Sequence, residues 1–433
     1  MKKFLDAIKE GILVYDGSKG YMLQKLGLKG GECGELWNLT DREAVRSVYT
    51  QYRDAGSDVI QTNTFPGNRV HLEKYGLGDQ AYEINYWGTK LAREVAGTDR
   101  YVSASVGPTG VLFEPSGELT FRRAYDIFKE QAKAVADGGA DVINLETFTD
   151  VAEMRAALLA VKENTGLPVI CSMAYEANGR TLMGTDPMIA SAVLLSLGAD
   201  MVGTNCSFGA AHMLDIVKAM HAAGAGILSV KPNAGLPEMK DGEVCYNETP
   251  EDFAKISVEF VKYGARLIGG CCGTTPEHIA AIRAALDKLA PEPAATGIRR
   301  MITSSTKYIA PEALSGADTG RLDAGSDSGL RGELKKGNLT YVEDAALDLA
   351  SEGHSAVYIN TDAAGADDML QNVVNIAQGY IRAPLILETA RPQELEKALR
   401  IYKGIAGVII GDVAGDIREE LMRIIKKYGS VIL

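Results

Sequence analysis

Three of the six cysteines sit where sulfur could do chemistry. Cys206 follows Thr204-Asn205, and Cys271 and Cys272 lie in Gly269-Gly270-Cys271-Cys272-Gly273-Thr274-Thr275. Each group ends a short apolar run of the kind that makes a strand buried on both faces. Adjacent cysteines on a regular strand point to opposite sides, but flanking glycines permit a turn that brings both sulfurs together. A bridge between Cys271 and Cys272 would be strained. Three convergent thiolates without a fourth are the donor set of a catalytic zinc site, with one position left for substrate. Soft sulfur ligands select Zn2+ over magnesium or calcium. Three thiolates leave the metal centre net negative, a poor source of hydroxide. Such a centre is suited to taking a fourth thiolate from a substrate and keeping it ionised near neutral pH. One Zn2+ per chain on Cys206, Cys271 and Cys272, acting in thiol alkylation, is the chemistry these residues imply. Cys171, inside Val169-Ile170-Cys171-Ser172-Met173, reads as core, and Cys33 and Cys245 lie in polar loop-like sequence.

The elements that must position the sulfurs follow a repeated local pattern. A helix-like stretch ends in glycine and a short apolar strand follows, as in Gly138-Gly139-Ala140-Asp141-Val142-Ile143 and Leu197-Gly198-Ala199-Asp200-Met201-Val202. Between strands the helical period is clear. Thr40 to Glu43 reads as a capping box ahead of Val45, Val48, Tyr49 and Tyr52. Thr249-Pro250 and Thr275-Pro276 read as helix starts. Eight strands are expected, near 12–16, 58–64, 101–106, 141–147, 168–175, 201–206, 226–231 and 266–271. Eight alternating units over residues 1–290 predict a (β/α)8 TIM barrel, whose active face is built at the carboxyl ends of its strands. A doubly wound open sheet is the alternative. Cys206 and the Cys271-Cys272 pair would then share one face.

Residues 291–300 read as a linker, and 301–433 as a smaller half-barrel-like α/β domain. Its expected strands lie near 355–360, 384–388, 406–410 and 430–433, with a capping box at Thr340 to Glu343 and a helix opened by Pro392. The Gly/Ser/Asp-rich stretch 315–332 reads as a mobile loop. Half a barrel would expose an apolar strand edge, which a homodimer, a partner chain or packing on the first barrel would cover.

The strand-end motifs resemble the homocysteine S-methyltransferase family, which includes the homocysteine-binding domain of cobalamin-dependent methionine synthase. The resemblance rests on Asp16-Gly17, Gln61-Thr62-Asn63-Thr64-Phe65, Ser105-Val106-Gly107-Pro108, Glu146-Thr147, Asn205-Cys206 and Gly269-Gly270-Cys271-Cys272-Gly273-Thr274. It implies zinc-dependent methyl transfer to the thiolate of homocysteine, giving methionine. It places Asp16 and Glu146 at the homocysteine ammonium and the backbone beside Gly17 at its carboxylate. Asn233 would fill the fourth zinc position without substrate, and Asn63 would hydrogen-bond behind the site. The methyl donor implied is a methylcorrinoid (methylcobalamin) on a separate protein, with betaine or S-methylmethionine, or another thiol acceptor, as alternatives. A non-catalytic scaffold subunit is the alternative from another class. The second domain resembles a truncated pterin-binding barrel whose motifs are replaced, for instance by Tyr358-Ile359-Asn360-Thr361-Asp362, so folate binding does not carry over. None of the five histidines lies in the Asp-x-His-x-x-Gly stretch of corrinoid-binding modules.

Composition agrees with an enzyme of small molecules. With 45 Lys+Arg against 57 Asp+Glu the formal net charge is −12, which argues against a nucleic-acid partner. No run of apolar residues is long enough to span a membrane. Asp6, Lys9 and Glu10 interrupt the N-terminus too early for a signal peptide, so a cytoplasmic protein is expected.

Overall fold

A computed structural model describes residues 1–114, 116–240, 243–295 and 297–433. Residue 296 of the expected linker lies outside the described residues; the remainder of 291–300 forms no helix or strand. The chain divides into two compact units, Met1–Met183 with Ala199–Ile298, and Gly184–Gly198 with Arg299–Leu433.

The first sheet is the expected barrel. Its strands are β1 (Leu13–Val14), β2 (Val59–Gln61), β3 (Tyr101–Val106), β4 (Val142–Phe148), β5 (Val169–Met173), β6 (Met201–Gly209), β7 (Leu228–Asn233) and, after a hairpin, β10 (Ala265–Ile268). All neighbours are parallel in the order β1-β10-β7-β6-β5-β4-β3-β2, and a parallel bridge between Tyr15 and Val59 joins the two ends. An open doubly wound sheet is excluded by that closure. Strands run into helices whose starts the sequence marks. Asp41, not the expected Thr40, caps Arg42–Asp54, which buries Val45, Val48, Tyr49 and Tyr52; Thr40 Oγ1 donates to Leu36 O instead, and Thr249 caps Pro250–Val261 as expected. The hairpin, β8 (Pro237–Lys240) and β9 (Glu243–Tyr246), was not expected from the sequence. Neither was the helix Phe4–Glu10. Its Phe4 and Ile8 pack on Tyr15, Val59, Tyr101, Val142, Met201 and Leu267, closing the amino-terminal mouth of the barrel.

The C-terminal sheet holds β13 (Thr319–Asp323), β14 (Ala356–Asn360), β15 (Leu385–Glu388), β16 (Gly407–Ile409) and β17 (Val431–Ile432). They are all parallel and lie in chain order, as in an arc of a barrel. A small antiparallel pair, β11 (Ile302–Thr303) and β12 (Tyr308–Ile309), precedes them. The stretch 315–332, expected as a mobile loop, instead forms β13 and the start of the helix Ser328–Lys335. Only Gly320 and Leu322 of β13 are buried, so the apolar alternation that marks a strand has a glycine at one of its two inward positions. That glycine is needed: a Cβ on Gly320 would stand 2.5 Å from the His354 ring. The Asp-rich composition caps the helix, since Asp327 Oδ1 accepts from Gly329 N and Leu330 N. Thr340 does not cap its helix either; it lies inside Thr340–Glu352, and no side-chain cap forms.

Candidate functional site

The three cysteines converge. β6 carries Cys206 within a bulge, where the register against β7 shifts between Asn205 and Gly209. Cys206 there takes φ +60°, a left-handed conformation that costs a non-glycine residue strain. Cys271 and Cys272 lie just beyond the end of β10, in a turn completed by Gly273 at φ +77°. The Sγ atoms all lie within 4.8 Å of one another, and Cys206 Sγ is 3.4 Å from Cys272 Sγ. Among the described residues no other group of three His, Cys, Asp or Glu side chains converges in this way. Tetrahedral zinc with bonds of about 2.3 Å needs ligand sulfurs about 3.8 Å apart. The trio has that size. Hydrogen bonds from Cys206 and Cys271 pull the Cys272 thiol far down, and the same contacts push Cys206 up. A cation at the centre of the trio would favour the fully ionised set.

Amide side chains hold the two sulfur-bearing segments in register. Asn233, at the end of β7, donates from Nδ2 to the Cys206 carbonyl (3.3 Å) and accepts at Oδ1 from Cys272 N (3.1 Å). Its amide oxygen is thus engaged by Cys272 N, and Asn233 serves as a strut between the segments. Asn205 Oδ1 accepts from Thr147 N (2.9 Å), and its Nδ2 donates to Thr147 Oγ1 (2.8 Å), tying the end of β6 to the end of β4. Thr147 also lies at positive φ, +63°.

The sulfurs open into a cavity of about 390 Å³ whose lining includes Gly17, Lys19, Gln61, Glu146 and Lys231. Asn63 lines it too, but its side chain is turned to the surrounding loop: Nδ2 donates to Gly34 O (2.9 Å) and Asn38 Oδ1 (3.1 Å). Gly17 admits no side chain, since a Cβ would stand 2.6 Å from Thr274 Oγ1 and 2.9 Å from the Tyr52 ring. Asp16, 1% exposed, accepts from Gln61 N (2.8 Å) and pairs with Lys19 Nζ (2.5 Å). Burial pushes the Asp16 carboxyl up and the Lys19 ammonium down, and their mutual attraction opposes both shifts. Glu146, 3% exposed, pairs with Lys231, itself 2% exposed. The structure thus brings Gly17, Asn63, Glu146 and the three cysteines to one cavity, with Asp16 buried behind the lining against Lys19 and Asn233 behind the sulfurs.

Sequence reasoning missed Lys19, Gln61 and Lys231. A signal for Lys231 was present: it is a lone charge inside the apolar run of β7, Leu228-Ser229-Val230-Lys231, in a strand buried throughout. It also missed Tyr246 of the hairpin, whose ring packs on Gly273, where a Cβ would stand 2.1 Å from Tyr246 Cγ.

Comparison with known proteins gives three findings. The family model described as homocysteine S-methyltransferase matches residues 13–286. Methionine synthases of Mycobacterium leprae and Mycobacterium tuberculosis are each 33% identical over 302 residues, covering 65% of this chain and 25% of theirs. The chain thus spans about a quarter of the length of these curated relatives. The metallated form of the homocysteine methyltransferase MmuM from Escherichia coli shares the barrel fold, with a TM-score of 0.55 and 23% identity over 65% of this chain and 98% of that one.

Proposed function

The chain belongs to the homocysteine S-methyltransferase family, and from that premise we propose that its barrel catalyses zinc-dependent transfer of a methyl group to the sulfur of a homocysteine-type thiol, with methionine the product from homocysteine. The observation that carries this reading is the convergence of Cys206, Cys271 and Cys272 at the floor of a cavity large enough for a small thiol. Bound by these three residues, Zn2+ would keep an acceptor thiol ionised and nucleophilic at neutral pH.

The rest of the work falls to the protein's own side chains. Asn233 and Asn205 hold the sulfur-bearing segments at fixed separation. Asp16, Gly17 and Glu146 meet the end of the acceptor opposite its sulfur. Gly17, without a Cβ, lets the turn pack against Thr274 and Tyr52 while lining the cavity. In the transfer, a C–S bond forms to the acceptor sulfur and the methyl–donor bond breaks, its electron pair leaving with the donor. The thiol proton has already gone to solvent when the acceptor binds.

The donor we propose is a methylcorrinoid carried on a separate protein, because the chain is similar over 302 residues to about a quarter of much longer methionine synthases. Betaine or S-methylmethionine used directly is the competing donor. Incubating zinc-loaded protein and homocysteine with each donor in turn, and measuring methionine, tests the reading. Turnover with methylcobalamin alone supports it. Turnover with betaine or S-methylmethionine reassigns the donor, and methylation with none of the three, given bound zinc, rejects the enzyme reading in favour of a scaffold.

A further inference from the structure

The acids of the cavity lining are Glu32, Glu35 and Glu146, and its ammonium groups are Lys19 and Lys231. The two ammonium groups are held differently. Lys231 is engaged by the lining itself. Its Nζ donates to Glu146 Oε2 and to Gln61 Oε1 (2.5 Å), and Gln61 Nε2 donates back to Glu146 Oε1 (2.6 Å), so lysine, amide and acid close a ring. Lys19 is held from behind. It is 9% exposed, pairs with Asp16 Oδ2 (2.5 Å) and donates from Nζ to Gly17 O (2.9 Å). Asp16 does not line the cavity, so the member of this pair that borders it is the lysine. An ammonium has three N–H donors. Among the described residues Nζ makes no third hydrogen bond; the Tyr52 ring, 5.1 Å away, offers a π face and no oxygen.

The charge of Lys231 also acts on Lys19 and opposes its own. An anion beside Lys19 relieves that repulsion, and a cation in the same place would add to it. A carboxylate there would receive a charge-assisted hydrogen bond in a largely dry site, where such bonds are strong. We propose that Lys19 binds the carboxylate of the acceptor, and that Asp16 serves that end of the site from behind, by holding Lys19 in place. The acceptor is then selected as a thiol acid. Its sulfur lies at the three cysteines, its carboxylate at Lys19, and an ammonium on the same carbon faces the acids of the lining. A thiol amine lacking the carboxylate would leave the third N–H of a buried ammonium without a partner. The proposal rests on the methyl-transfer reading and adds to it the residue that recognises the acid end of the acceptor.

The test compares homocysteine with 3-aminopropane-1-thiol, which is homocysteine without its carboxylate. Binding of each to the zinc-loaded full chain is measured by calorimetry. The wild-type protein is expected to bind homocysteine about tenfold tighter or more, the scale of one charge-assisted hydrogen bond. In Lys19→Met, which keeps the length of the side chain and removes its charge, that preference is expected to fall to about threefold or less, because the contribution of the ammonium is lost. Both thiols carry an ammonium, so the freed Asp16 acts on both alike and cancels in the ratio. Lys19→Gln is expected to lower the ratio in the same way and serves if the methionine variant does not fold. An unchanged ratio in the variants, with both thiols weakened alike, marks Lys19 as a purely structural latch and overturns the proposal. Equal binding of the two thiols by the wild type also overturns it and leaves the methyl-transfer reading standing. Binding of neither thiol overturns the proposal together with the reading it rests on.

Discussion

Cys206 and Thr147 both hold left-handed backbone, and Asn205 lies between them with its amide bonded to Thr147. Strain of this kind costs about 1–3 kcal/mol per residue and persists where the surroundings fix it. Here it turns the end of β6 so that one sulfur faces the two beyond β10. Replacing any one of Cys206, Cys271 or Cys272 by alanine is expected to remove tightly held zinc, from one ion per chain to none, while the barrel stays folded. Metal analysis alongside circular dichroism checks both halves of that statement. Asn233 acts at one remove. Asn233→Ala deletes the bonds to Cys206 O and Cys272 N and leaves all three sulfurs. Losses of about 10–100-fold in metal affinity are typical for such supporting groups, and competition with a zinc chelator is expected to show a loss in that range.

Two elements outside the site bear on the barrel's stability. The helix Phe4–Glu10 closes the amino-terminal mouth, and Phe4 is 3% exposed against Tyr101, with ring centroids 5.5 Å apart. Phe4→Ala should destabilise the protein by about 3–5 kcal/mol, read as a lower urea midpoint, without changing zinc content. The helix Val151–Asn164 buries an acid, Glu153, whose Oε1 accepts from Thr109 N (2.7 Å) and Thr109 Oγ1 (2.6 Å). Burial pushes its carboxyl up from 4.5 to about 7. The folded chain therefore keeps this proton where the unfolded chain has lost it. The contribution is full below the unfolded value, and stability falls as pH rises from there to about 7, by up to about 3 kcal/mol. Glu153→Gln keeps the acceptor for Thr109 and removes the titration. Its stability relative to wild type is expected to rise between pH 5 and pH 8 in denaturant titrations, and a constant difference would contradict the assignment.

At the scale of the whole molecule, the chain's compact units do not follow its order. The helix Pro187–Ser196, which lies in sequence between β5 and β6, belongs with Arg299–Leu433. Within that unit, Gly429 at φ +65° approaches so closely that a Cβ would stand 2.2 Å from the Ser196 carbonyl oxygen. A chain ended at residue 298 would keep this apolar helix and lose the rest of its unit. It is expected to be less soluble and to unfold at lower denaturant than the full chain, as sedimentation and urea titration would show. A truncated protein as soluble and as stable as the full chain would mean that the helix needs nothing from the C-terminal residues.

The sequence alone determined the eight-fold alternation and the metal-type donor set, because both are local signals. Strands buried on both faces read as apolar runs closed by glycine, and Gly-Gly-Cys-Cys-Gly is unusual at any strand end. It also placed Asp16, Glu146 and Cys206 together at the carboxyl ends of strands. Closure through Tyr15 and Val59 was a matter of tertiary structure, as was the plugging helix, whose few apolar residues have meaning only against the mouth they fill. The strand Thr319–Asp323 was hidden because a glycine takes one of its inward positions, for room beside His354. The lysines were the largest omission. Lys19 lies 3 residues from its partner Asp16, within one helical turn, but Lys231 lies 85 residues from Glu146 and meets it only because β4 and β7 face each other across the barrel. A charge's partner across a closed sheet is set by the closure, and no local pattern in the chain records it.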